Sequence, residues 1–162
     1  SNSVKAMALL IGANLFSGKS GETLMLDSPH TNEWFVATLN CSNDQLRIPA
    51  AGLLYNYVLA LTNLPKDVLQ QLHADKYWQL ITLLSETLAE RVDNSSQAKQ
   101  LTQTEDEYFW RICSALYYIL NADESVRELA TQLGISDSVQ VLQTRSPSPK
   151  LETLLSDLRK IM

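Results

Sequence analysis

The sequence predicts an all-α fold built as a helical-repeat solenoid, and three observations carry that prediction. Apolar residues recur at three- and four-residue intervals almost throughout the chain, the spacing that gathers them on one face of a helix. Only five Gly and five Pro occur in 162 residues, too few for a chain of short strands that turns about every ten residues. Similar apolar helices also return after about forty residues. With 45% hydrophobic and 19% charged residues, the chain has the composition of a packed domain rather than a disordered tail. Its length fits one domain.

The elements follow in order. Ser1-Asn2-Ser3 reads as an expression scar, which leaves one domain over 4–162, cut from a longer protein. Val4 to Phe16 is a first helix, closed by Ser17-Gly18-Lys19-Ser20-Gly21. A short helix from Glu22 to Leu26 and, after Pro29, one from about Thr31 to Leu39 come next. Asn40 to Gln45 is a polar break. Leu46 to Leu61 is almost wholly apolar and is expected to be buried on most sides, with Pro49 in about its first turn, where a missing N–H costs little. Pro65 opens a short helix through Leu72, and Asp75 caps a helix from Lys76 to Arg91. Asp93 to Thr104 is the longest polar connector. The helix Glu105 to Leu120 follows, then Glu124 to Gln132, capped by Asp123 and ended by Gly134. Ser146-Pro147-Ser148-Pro149 is a turn before a last amphipathic helix, Lys150 to Ile161.

The repeat is visible on overlay. Ala8 to Phe16 aligns with Ala50 to Val58, each carrying one Asn (Asn14 and Asn56), and Arg111 to Tyr117 is a third copy with Ala115 in the Asn column. This is the period of armadillo and HEAT repeats. In such solenoids these helices line the concave face, where an Asn is held by backbone hydrogen bonds or offers them to a ligand.

Charge and cysteine content narrow the function. A net charge of −5 and a pI near 5.0 argue against a nucleic-acid surface, whose affinity comes largely from clustered Lys and Arg. Cys41 and Cys113 have neither CxxC nor zinc-ligand spacing and read as buried, reduced thiols. The triplets Asn40-Cys41-Ser42 and Asn94-Ser95-Ser96 matter only in a secreted protein. Neither a cleavable leader nor an apolar run of membrane-spanning length is present. A cytoplasmic or nuclear monomer that binds neither membrane nor nucleic acid is expected.

No constellation points to catalysis, a metal or a cofactor. Gly18-Lys19-Ser20 resembles the end of a phosphate loop, but Gly12 is one residue out of register and the preceding segment is helical, so a helix-ending loop is the reading. His30 and His73 lack a second ligand at metal spacing. Ser28 and Cys113 lack a recognisable base and orienting acid. Glu105-Asp106-Glu107 suits the positive end of the helix it opens. Tyr108, Phe109, Trp110, Tyr117 and Tyr118 form the densest aromatic cluster, suited to a core or to an interface. Arg111 sits among them. An unpaired buried guanidinium costs several kcal/mol, so Arg111 must snorkel, pair with a carboxylate, or face a groove that meets an acidic ligand.

These residues resemble a known family. Asn14-Leu15-Phe16-Ser17-Gly18-Lys19-Ser20-Gly21-Glu22-Thr23-Leu24-Met25 is similar to the Asn-x-Phe-x-Gly-x-x-Gly-x-x-Leu-Met segment of PUL domains. Ile48 to Ala60, with Leu54-Tyr55-Asn56-Tyr57, is similar to their Ala-rich helix ending in Asn-Tyr. Phe109 to Leu116 resembles their Phe-Arg-x-x-x-Ala-Leu helix, with one residue inserted or with Trp110 in place of the Phe. Asn121-Ala122-Asp123 and Ala130 to Ile135 resemble two further segments, so the ordered match covers most of the chain. The resemblance implies an armadillo-like fold in a phospholipase-activating-protein type of ubiquitin-system adaptor. Its basic concave groove would hold the acidic C-terminal tail of the valosin-containing AAA+ ATPase, the segregase that extracts ubiquitylated proteins. Arg111 would meet a carboxylate of that tail, Asn56 and Asn14 its backbone, and Tyr55 and Trp110 its apolar parts. Leu10 aligns where the family carries a second groove arginine, so Lys5, Lys19 or Arg47 is looked to for the missing charge. The domain is also shorter than a full family member. Two alternatives remain: an armadillo-type scaffold for another acidic peptide or for its parent protein, and a non-catalytic accessory domain of a thiol peptidase or thioredoxin-like protein.

Overall fold

The computed structural model describes residues 8, 35–36, 38–39, 43–67, 75–94 and 100–162. Among them lie six helices and no strand: α1 (Asp44–Thr62), α2 (Lys76–Asn94), α3 (Gln103–Ala122), α4 (Val126–Gln132), α5 (Ile135–Gln143) and α6 (Pro149–Ile161). The all-α prediction holds. Phe35, Val36, Thr38 and Leu39 are helical, as are Lys66 and Asp67. Apart from Ala8, which is helical, the expected helix Val4 to Phe16 lies outside the described residues, as do Glu22 to Leu26, most of Pro65 to Leu72, and Asn14, Lys19, Leu10, Cys41, His30 and His73.

Each helix end has a local cause. The Asn43 side chain accepts from the Gln45 N–H at 2.9 Å and starts α1. That start puts Pro49 in the second turn rather than the first. The N–H it lacks would have met the carbonyl of Gln45, a residue exposed to water, so the helix continues through it. Thr102 and Glu105 form a reciprocal capping box on α3, Thr102 Oγ1 accepting from Glu105 N–H at 3.2 Å and Glu105 accepting from Thr102 N–H at 3.0 Å. Asp123 does not cap the next helix. It closes α3 by donating its N–H to Ile119, and its carboxylate accepts from Ser125 N–H at 2.9 Å in an Asx turn, so α4 begins only at Val126. Gly134, at φ 74°, ends α4 as expected.

Residues 135–143, to which the apolar spacing assigns no element, form α5. Ile135, Val139 and Leu142, spaced four and three apart, are its buried face. Ser148 caps α6, with Pro149 in its first turn.

The helices stack in two layers. α3 packs between α1 and α6, and α2 lies behind α3 and against α4 and α5, with α5 also touching α6. The two described repeat copies, in α1 and α3, are therefore side by side. Phe109, Ile112, Cys113, Leu116, Ile119 and Leu120 are fully buried and form the inner face of α3. One polar latch fastens α6 to α3. Asp106 accepts from Ser148 N–H at 2.7 Å and from Ser148 Oγ at 2.6 Å. Arg127 reaches back from α4 and donates from Nε to the Leu120 carbonyl at 2.9 Å, covering the end of α3.

Burial pushes the Cys113 thiol up to about 12. Mass-spectrometric mapping after maleimide treatment at pH 8 should find Cys113 unmodified in the native protein and modified in urea. An unfolded thiol ionises near pH 8.5, whereas the folded one holds its proton to about 12. The unfolded state thus binds fewer protons in that window, and the urea midpoint should fall as pH rises above about 8.5.

Candidate peptide-binding face

The outer face of the α1–α3–α6 layer gathers most of the described candidate residues. Gly52 on α1 is the reason Arg111 lies where it does. A Cβ at Gly52 would stand 2.7 Å from Arg111 Nη1, so only glycine lets the guanidinium rest across α1. There Nη1 donates to the Ile48 carbonyl and Nε to Glu107, both at 2.9 Å. The Arg111 side chain is 28% exposed and Glu107 41%. A pair this open is worth no more than about 1 kcal/mol. Two of the fates open to Arg111 in sequence are met together, since it pairs with a carboxylate and still shows an edge to solvent. Among the described residues Nη2 has no hydrogen-bond partner.

Beside Arg111 the aromatic cluster divides. Tyr108 and Phe109 are core residues. Trp110 and Tyr117 are half-buried, and Tyr118 is exposed. Tyr55 on α1 packs its ring 5.5 Å from that of Trp110 and 6.1 Å from that of Tyr118. Burial, and then the neighbouring Tyr118, raise the Tyr55 phenol above its ordinary value, so it stays a neutral donor. Lys150, from the first turn of α6, sets its ammonium 3.2 Å from the Trp110 ring centroid, well within cation–π range. Nothing in the sequence marks out Lys150. It is one exposed Lys on an amphipathic helix, and only the packing of α6 on α3 brings it to Trp110. Asn56, next to Tyr55, is half-buried and engaged within the chain.

Arg47 stands apart from this face. It is 6% exposed, ion-paired with Asp44, and its guanidinium carbon lies 5.5 Å from the Tyr108 ring centroid. It lines a cavity of about 240 Å³ where the start of α1, the end of α2 and the start of α3 meet, with Leu39, Thr87, Glu90, Arg91, Asn94 and Tyr108. It is thus built into that seam beside Tyr108.

The acidic run is structural in each member. Glu105 is in the capping box, Asp106 in the latch and Glu107 on Arg111. No group of three or more His, Cys, Asp or Glu among the described residues is placed to hold a metal. No helix among them is long and apolar enough to cross a membrane.

No curated protein and no solved structure matches the chain. A family model does: that of the PUL domain, over residues 1–157. This is the family that the ordered motifs resemble, and its domains are protein-interaction modules. A helical layer with an aromatic and cationic outer face accords with that role, and the chain belongs to the PUL domain family.

Proposed function

We propose that this domain is an adaptor module that docks the acidic C-terminal tail of the valosin-containing AAA+ ATPase in ubiquitin-dependent protein turnover. The observation that carries the reading is Arg111. Its guanidinium is held flat by Gly52, the Ile48 carbonyl and Glu107, and it offers a free edge beside the Tyr55–Trp110–Tyr118 rings. A planar fork of donors matches a carboxylate. Aromatic rings beside it supply area at little entropic cost. Glu107 occupies only the Nε side, and an incoming carboxylate competes with a weak, half-exposed pair. A local cation on a chain of net charge −5 gives selectivity for position rather than bulk attraction to any acid.

The test is titration of a fluorescent peptide of that tail into the wild-type domain and Arg111→Ala, at low and moderate salt. Micromolar-range binding that weakens with salt and drops about tenfold in the variant, about 1.4 kcal/mol, is expected. Gly52→Ala, which displaces the guanidinium without removing it, should lose part of the same affinity. Absence of binding by the folded wild type would sink tail docking and leave a scaffold for another ligand.

A further inference from the structure

We infer that Lys150 is the second cation of this face and takes a second carboxylate of the docked peptide, so that the peptide crosses Trp110 from α1 towards α6. The inference rests on the tail-docking reading and says where its second charge contact lies.

Lys150 sits in the first turn of α6, the end of a helix where the backbone dipole disfavours a cation. The basic residues that suit the dipole, Arg159 and Lys160, are in the last turn. A local rule broken in this way needs a compensating contact, and the Trp110 ring, 3.2 Å from the ammonium, is one. The ring covers only one side of the ammonium. Lys150 is exposed and forms no ion pair among the described residues. The nearby carboxylates leave it open. Asp106 is taken by Ser148, Glu107 by Arg111, and Glu152, two residues along α6, points away round the helix. The latch between Asp106 and Ser148 fixes the α6 backbone two residues before Lys150, so the root of the Lys150 side chain is set within reach of Trp110. Arg111 reaches across to α1 while its neighbour on α3, Trp110, carries Lys150 from α6, so the two cations come from the two sides on which α3 is packed. The carboxylates of Glu107 and Asp106 lie beside these two cations, so the strip is balanced rather than basic, and what it offers a ligand is two donors without a carboxylate of their own, Arg111 Nη2 and the Lys150 ammonium. That pattern fits a peptide with two carboxylates better than one with a single acidic end.

The experiment is a double-mutant cycle between the domain and the tail peptide. Wild type, Lys150→Met, Lys150→Arg and Arg111→Ala are each titrated with the unaltered peptide and with peptides in which one acidic residue at a time becomes its amide. Lys150→Met, whose thioether still packs on Trp110, should weaken the unaltered peptide about fivefold, and Lys150→Arg should retain most of the affinity. One peptide position should lose affinity with wild type and none further with Lys150→Met, and it should differ from the position coupled to Arg111. The inference is overturned if Lys150→Met binds within about twofold of wild type, or if no position couples to Lys150 while one couples to Arg111. The docking reading would survive either result. Loss of wild-type binding to every peptide overturns both. Should Lys150→Met prove unfolded by circular dichroism, Lys150→Arg against the amide series decides the same coupling.

Discussion

Replacing Phe109 by Ala should destabilise the domain by about 3–5 kcal/mol, the range for deleting a buried ring. Phe109 is fully buried on the inner side of α3, with its ring 5.6 Å from that of Tyr108 at 73°, an edge-to-face contact. Because α3 touches α1, α2 and α6, the void cannot be closed by shifting one neighbour without opening a gap at another. That puts the expected loss toward the upper half of the range. Urea unfolding followed by circular dichroism measures it, and the melting temperature should fall by roughly 10 °C. A loss below about 1 kcal/mol would mean that α3 is not the centre of the core.

Asp106→Ala should cost about 2–3 kcal/mol although it removes no apolar surface. Its carboxylate accepts from both the N–H and the hydroxyl of Ser148, at 2.7 and 2.6 Å, and hydrogen bonds to a charged acceptor contribute more than neutral ones. Without it the Ser148 N–H is left half-buried and unmet at the turn where α6 begins. Ser148→Ala should cost a similar amount, because it keeps the backbone donor to Asp106 but removes the hydroxyl that also caps α6. The two changes together should fall well short of additive in the same urea experiment. Additive losses would show that the two residues act separately.

How far the sequence revealed this arrangement depends on what each element is made of. The cores of α1, α2 and α3 were legible because their apolar periodicity is long and uninterrupted, and their ends shifted by only a few residues. The start of α3 was written as Thr102-x-x-Glu105 but lay inside a polar stretch that read as connector. α5 escaped because its Ser and Asp residues dilute a short pattern, and α4 began late because Asp123 serves the helix before it. Of the candidate site, Arg111, Tyr55 and Trp110 were visible as chemistry, and the structure brings them together. Neither Gly52 as the cause of the Arg111 geometry nor Lys150 over Trp110 was visible, since each depends on which helix packs against which.

The central position of α3 has a consequence for biosynthesis. Its partners come from both directions along the chain: α1 is made before it, whereas α6 follows α5 and is the last of the described helices to be made. At about 5–20 residues per second, the side of α3 that α6 will cover waits a few seconds on the ribosome for its partner. During that interval the unlatched Asp106 and the uncovered flank of Trp110 face water or whatever shields a nascent chain. A repeat protein assembled strictly neighbour by neighbour would close each unit as it emerges. Here the layer is completed only when its final helix arrives, so chain arrest or truncation before Ser148 leaves the middle of the domain exposed, not merely its end.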